Sequence, residues 1–206
     1  MNHKIVAITL FLLVTSSASA NGLITGSADE GKNKAVTCGA CHGGDGNSVN
    51  PEWPSLAGQH SPYIVDQLQA FKDGTRSNPL MDGMAKALSD ADMANLAVYY
   101  SQQPAAPRAV TDASLVDKGQ ALYRGGDKQR GIPACMACHG PTGAGNPAAS
   151  YPKLSGQYAV YTENQLRAYA SGARTSDGTS KVMRDIAEAL TDEQIKAISS
   201  YVQGLH

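Results

Sequence analysis

Large side chains are scarce in this sequence: of 206 residues one is Trp and two are Phe, and aromatics make up only 6 %. The length allows one ordinary domain or two small ones. Two domains of roughly 90 residues with so few bulky side chains bury too little apolar surface to be comfortably stable unaided. Something other than side chains is therefore expected to fill their cores. An excess of charge is missing too, since 17 Lys plus Arg oppose 18 Asp plus Glu for a net charge of −1. With no basic block, nucleic acid is excluded as the main partner. Long apolar runs are absent beyond residue 20, where nothing approaches the roughly 18 residues needed to cross a bilayer.

The one apolar stretch lies at the start. Lys4 and the initiator amine precede Ile5–Val14, which only Thr9 interrupts, and Ala18-Ser19-Ala20 follows with the small residues that a signal peptidase accepts. Residues 1–20 read as a secretory signal, too short for a mature anchor. An uncleaved tether is the alternative. A soluble, exported mature protein is expected.

Cysteine is confined to two copies of one pattern, Cys38-Gly39-Ala40-Cys41-His42 and Cys135-Met136-Ala137-Cys138-His139. Disulfides suit an exported protein, but they give no reason for a His after each second cysteine. A shared zinc site would have to span the 93 residues between Cys41 and Cys135, against a usual spacing of about 15–20. Covalent attachment of a c-type haem explains every residue of the motif. Two thiols at this spacing reach the two vinyl groups of one porphyrin, and the adjacent imidazole is delivered to iron. Two haems are expected, held by Cys38 and Cys41 and by Cys135 and Cys138.

The chain also repeats itself. Pro54-Ser55-Leu56-Ala57-Gly58-Gln59 returns as Pro152-Lys153-Leu154-Ser155-Gly156-Gln157, Gly74-Thr75-Arg76 as Gly172-Ala173-Arg174, and Leu88-Ser89-Asp90 as Leu190-Thr191-Asp192. So long a period means two related domains rather than a solenoid. The proline-rich stretch Gln103-Pro104-Ala105-Ala106-Pro107 marks a fairly stiff joint. We divide the chain into residues 21–103, a linker over 104–110, and residues 111–206.

Each half reads as short helices, and no alternating strand pattern stands out, so the class is all-α. Ser27 with Glu30 opens a first helix running towards Cys38. Ser61-Pro62 opens another, whose apolar spacing continues to Phe71 and which Gly74 ends. Ser89 with Asp92 and Thr191 with Gln194 start the last helix of each half. Gly31 and Gly119 are expected to let the first helix of each half approach another helix closely.

The second axial position on each iron decides the chemistry. His3 leaves with the signal, and His60 and His206 have no counterpart in the other repeat, so both are expected to be solvated. Met136 lies between haem-bonded cysteines, while Met93 and Met84 align with Ile195 and Ile186 and read as core. Met81 and Met183 align with each other and are expected in loops, as the distal ligands opposite His42 and His139, with Met84 the fallback in the first domain. With both positions filled, substrate binding is disfavoured and one-electron transfer remains, at a potential raised by the thioether. A carbonyl in each repeated Pro-x-Leu loop is a candidate acceptor for the second ring nitrogen of His42 and His139; a turn that merely covers the haem edge is the alternative. Arg76 and Arg174 are placed either to pair with haem propionates or to meet the carbonyls at a helix end. Trp53 and Tyr151 read as haem-pocket packing.

These features resemble the dihaem cytochromes c of the c4 type. The likeness is carried by the two CxxCH-Gly motifs, the repeated Pro-x-Leu-x-Gly-Gln, the Met81 and Met183 straps, Arg124-Gly125-Gly126, and the closing Tyr201-Val202-Gln203-Gly204-Leu205-His206. It covers residues 28–206. It implies two cytochrome c-like domains in tandem, each around one covalent haem, related by a pseudo-two-fold with haem edges facing across the interface. It also implies a periplasmic carrier, soluble or loosely membrane-associated, that serves terminal oxidases. The expected function is transfer of electrons from a quinol-oxidising complex to a haem–copper oxidase, and no catalytic residue is expected. The alternative is the cytochrome subunit of a dehydrogenase such as a sulfide-oxidising flavoprotein. A dihaem peroxidase is disfavoured because its halves should differ in distal ligand, whereas these match.

Overall fold

The computed structural model describes residues 23–205, so the predicted signal over 1–20 and His206 lie outside the described residues. Among the described residues five α-helices form each half. The first half holds α1 (Ala28–Lys34), α2 (Gly39–His42), α3 (Ser61–Asp73), α4 (Pro79–Lys86) and α5 (Asp90–Ser101). The second holds α6 (Val116–Gly125), α7 (Met136–His139), α8 (Ala159–Ala170), α9 (Val182–Ala189) and α10 (Asp192–Gln203). Among the described residues no strand forms, and only isolated antiparallel bridges occur, one of them joining Arg76 to Arg174. No helix of the described residues is long and apolar enough to cross a membrane.

Local chemistry sets the helix ends. Ser89 and Thr191 each complete a capping box, with the side chains of Asp92 and Gln194 reaching back to the cap, which satisfies donors the helix itself leaves open. Ser27 accepts from the Glu30 backbone N–H. Gly74 ends α3 in the left-handed region at φ 78°, where only glycine is unstrained. The start of α3 differs by one residue from the sequence reading. Its cap is His60, in extended conformation, and Ser61 is already helical and buried.

α1 packs on α5, and α6 on α10, each pair at a glycine. A Cβ on Gly31 would lie 2.0 Å from the Asn95 carbonyl oxygen, and one on Gly119 would lie 2.4 Å from that of Ala197. Both glycines thus perform the packing role expected of them. Around these crossings lie two small cores. Ile64, Leu96, Ala97, Tyr99 and Tyr100 are buried together in the first, with Cys38 at its wall. Leu122, Tyr123, Ile198, Tyr201 and Val202 are buried together in the second, with Cys135 at its wall.

Candidate haem-binding sites

In each half a single helical turn carries Cys-x-x-Cys-His: α2 begins just after Cys38 and ends at His42, and α7 begins just after Cys135 and ends at His139. A glycine with positive φ follows each one, Gly43 at 81° and Gly140 at 76°. This turn places the thiols and the imidazole side by side. His42 and His139 are both only 7 % exposed. The Nδ1 of His42 lies 2.9 Å from the Pro54 carbonyl oxygen, and that of His139 lies 3.0 Å from the Pro152 carbonyl oxygen. A carbonyl can only accept, so Nδ1 carries the proton and Nε2 presents its lone pair. Of the two readings offered for the Pro-x-Leu loops, the structure has the carbonyl acceptor.

Burial lowers the pKa of His42, against the opposing effect of the Pro54 bond, and Arg76 adds to the lowering. His139 is lowered by burial against its bond to Pro152. Both imidazoles are therefore held neutral, the form that binds a metal. Burial pushes the Cys135 thiol up to about 11. The two motifs do not converge, and no cluster of three or more His, Cys, Asp or Glu suited to a metal ion occurs among the described residues. A shared zinc site is thus not formed.

Met81 and Met183 depart from the expected loops. Each occupies the first turn of a short helix, α4 and α9 respectively. Asn78 creates the first of these by capping the backbone N–H groups of Leu80 and Met81, with Pro79 at the first helical position, where its fixed φ and missing N–H suit a helix start. One turn on from each methionine is a fully buried alanine, Ala85 or Ala187, and residues four apart share a helix face. Met84, on the same helix, is 42 % exposed. Met93 is buried in α5, in agreement with its reading as core. Tyr151 packs near His139, with ring centroids 6.2 Å apart.

Contacts between the halves fall into matched pairs, which is the pseudo-two-fold in molecular terms. The Arg76 guanidinium donates to Gln67 in its own half and to Tyr161 and Gln165 in the other. Arg174 donates to Gln165 in its own half and to Tyr63 and Gln67 across the interface. The two arginines stack on Phe71 and Tyr169, each at 4.5 Å from the ring centroid. Both are buried, and the partners of their guanidinium groups among the described residues are neutral. The helix-end alternative offered for these arginines is not what the guanidinium groups do.

His60 corrects an expectation. It is half-buried rather than solvated, and its Nε2 lies 2.7 Å from the Ala144 carbonyl oxygen of the other half. Its counterpart Tyr158 likewise crosses over, donating to Ser48 O at 2.8 Å. No local signal points to either contact, since the partners lie 84 and 110 residues away.

Thiol pairs on single turns, neutral imidazoles held by carbonyls, and a small apolar core with a haem-motif cysteine at its wall in each half all fit covalently bound haem. Two such helical domains in tandem define a dihaem protein of the cytochrome c class. The family model for cytochrome c matches residues 28–103 and again residues 116–206. The chain is 46 % identical to cytochrome c4 from Azotobacter vinelandii over 100 % of both chains. It is 44 % identical to a solved structure, reduced recombinant cytochrome c4 from Pseudomonas stutzeri, with a TM-score of 0.86 and coverage of 88 % of this chain and 100 % of that one. The chain belongs to the dihaem cytochrome c4 family and is an electron carrier. A protein named thiosulfate dehydrogenase electron acceptor, from Thiomonas intermedia, is 40 % identical over 82 % of this chain and 78 % of its own.

Proposed function

We propose that the chain works in the periplasm, taking one electron at a time from a quinol-oxidising complex and passing it to a haem–copper terminal oxidase. Each bound haem supplies a one-electron Fe(III)/Fe(II) couple. In this reading Cys38, Cys41, Cys135 and Cys138 anchor the haems, and His42 with Met81 and His139 with Met183 cap the two irons. The matched halves carry the proposal: both present a neutral, carbonyl-held imidazole and a methionine at the same register of an equivalent helix. Two saturated sites leave no position for a substrate, and a thioether ligand raises the potential into a range useful for passing electrons to an oxidant. The inward face that Met81 shares with Ala85, against the exposure of Met84, supports Met81 as the first-domain ligand. Arg76 and Arg174, buried without a carboxylate partner among the described residues, are suited to the acidic arms of the haems.

A second reading is that the donor is a sulfur-compound dehydrogenase, as the name of the Thiomonas intermedia relative states for that protein. Stoichiometric co-purification with a dehydrogenase subunit distinguishes it from a freely diffusing carrier.

The ligand assignment is tested by optical spectra of the oxidised Met81→Ala, Met84→Ala and Met183→Ala proteins. The thioether-to-ferric-iron charge-transfer band should fall by about half in the first and third and stay intact in the second. A band lost on changing Met84 and kept on changing Met81 overturns the assignment.

A further inference from the structure

The repeated Pro-x-Leu-x-Gly-Gln loops hold a connection that crosses the domain interface. The peptide between Pro54 and Ser55 has both its ends occupied. Its carbonyl accepts from His42 Nδ1 at 2.9 Å, and its N–H, on Ser55, donates to Oε1 of Gln157 in the other half at 3.0 Å. Gln157 Nε2 closes the pairing by donating to Ser55 O at 2.9 Å. The second copy does the same in mirror fashion. The Pro152 carbonyl accepts from His139 at 3.0 Å, Lys153 N–H donates to Gln59 Oε1 at 2.9 Å, and Gln59 Nε2 donates to Lys153 O at 2.9 Å.

The orientation of both carboxamides is fixed by their contacts. Each oxygen accepts a second backbone N–H, that of His60 for Gln59 and that of Tyr158 for Gln157, while each nitrogen faces a carbonyl. A flipped amide would set donor against donor and acceptor against acceptor. Gln59 is 8 % exposed, so water competes little for its bonds.

We propose that Gln59 and Gln157 are positioning residues through which each domain sets the reduction potential of the haem held by the other. The proposal rests on the reading of His42 and His139 as iron ligands. A peptide is one conjugated plane, so drawing the Ser55 proton towards Gln157 leaves more negative charge on the Pro54 oxygen, as in any hydrogen-bonded chain. That oxygen then pulls harder on the Nδ1 proton of His42, and Nε2 becomes a stronger donor. A stronger donor favours the ferric state and lowers the potential. Domain docking thereby tunes both centres, and the two halves do so reciprocally.

Two variants of the holoprotein test this, Gln157→Leu and Gln59→Leu, which keep side-chain bulk and remove the carboxamide. Potentials are read by titration while haem methyl NMR signals report each domain separately. Losing one hydrogen-bond link is expected to shift the reduction equilibrium by about two- to tenfold, which is about 18–59 mV for one electron. In Gln157→Leu the rise belongs to the haem at His42, and the Ser55 amide proton exchanges faster while that of Lys153 stays protected. In Gln59→Leu the pattern reverses, so one variant suffices if the other does not fold. Equal shifts at both haems, a shift confined to the variant's own domain, or no shift with an exposed Ser55 amide overturns the proposal. A wild-type spectrum without imidazole–thioether signatures would instead remove the ligand reading beneath it.

Discussion

Replacing Gly31 by Ala is the sharpest steric perturbation available in this fold. The added Cβ would sit 2.0 Å from the Asn95 carbonyl oxygen and 2.7 Å from Tyr99 Cβ, where ordinary contact begins at 3.4 Å. The nearest atom is helix backbone rather than the end of a flexible side chain, so relief to ordinary contact requires α1 and α5 to part by about 1.4 Å in an interior packed like a crystal. Overpacking of this kind costs about 1–3 kcal/mol and occasionally more. For a domain of 60–100 residues each kcal/mol moves the melting temperature by about 4–8 °C, so the first half should melt about 4–24 °C lower. The displacement also reaches the haem site, because Gly31 O accepts from Ala35 N–H and Ala35 O from Gly39 N–H, at the start of α2. Gly83→Ala is the control. Beyond its chain neighbours and its own helix backbone, no protein atom lies within 4 Å of a Cβ at Gly83, and it sits inside α4, so alanine should stabilise by about 0.5–1 kcal/mol. Thermal unfolding of the holoprotein, followed by helix signal and haem absorbance together, measures both. A Gly31→Ala protein that melts with the wild type refutes the close-packing argument.

Asp92 gives a pH prediction. Backbone and side-chain bonds to Ser89 and the nearby Lys34 bring its carboxyl from the ordinary 3.8 to about 2. A folded-state pKa below the unfolded one adds stability that is complete above about 4 and is lost as pH falls towards 2. Denaturant midpoints at pH 5 and pH 2.5 should therefore converge more in Asp92→Asn than in the wild type. Arg108 gives an interface prediction: it donates to Gly156 O, Ser48 O and Ser55 Oγ and stacks over Tyr158 at 4.0 Å. Arg108→Ala should cost about 1–3 kcal/mol and accelerate hydrogen exchange at the Gly58 and Gly156 loops; unchanged exchange there would show that the contact is not holding the halves together.

Much of this architecture is written locally. The CxxCH turns and the capping boxes at Ser89 and Thr191 are each decided within a few residues, and the structure forms them where the sequence put them; the two close-approach glycines stand at matching places in the repeat, although the helices they meet lie more than 60 residues on. The methionine helices were harder to see. Gly83 weakens the helical pattern around Met81, and only the Asn78 cap with Pro79 shows where α4 begins. What local pattern does not hold is contact across the pseudo-two-fold. His60 looks unpartnered until Ala144 is brought beside it. Gln59 and Gln157 stand out only as a repeated motif until their partners 94 and 102 residues away are in place. Arg76 and Arg174 look like helix-end cations for the same reason, because their partners Tyr161 and Tyr63 belong to the opposite half.

The mass of the intact protein, taken after extraction with acidified organic solvent, bears most directly on the assignment of two covalently held haems. The expected mass is that of the polypeptide plus two haems, one fewer in a Cys38→Ala/Cys41→Ala double variant, with no colour in the solvent. A mass equal to the bare polypeptide, with the pigment extracted, contradicts it.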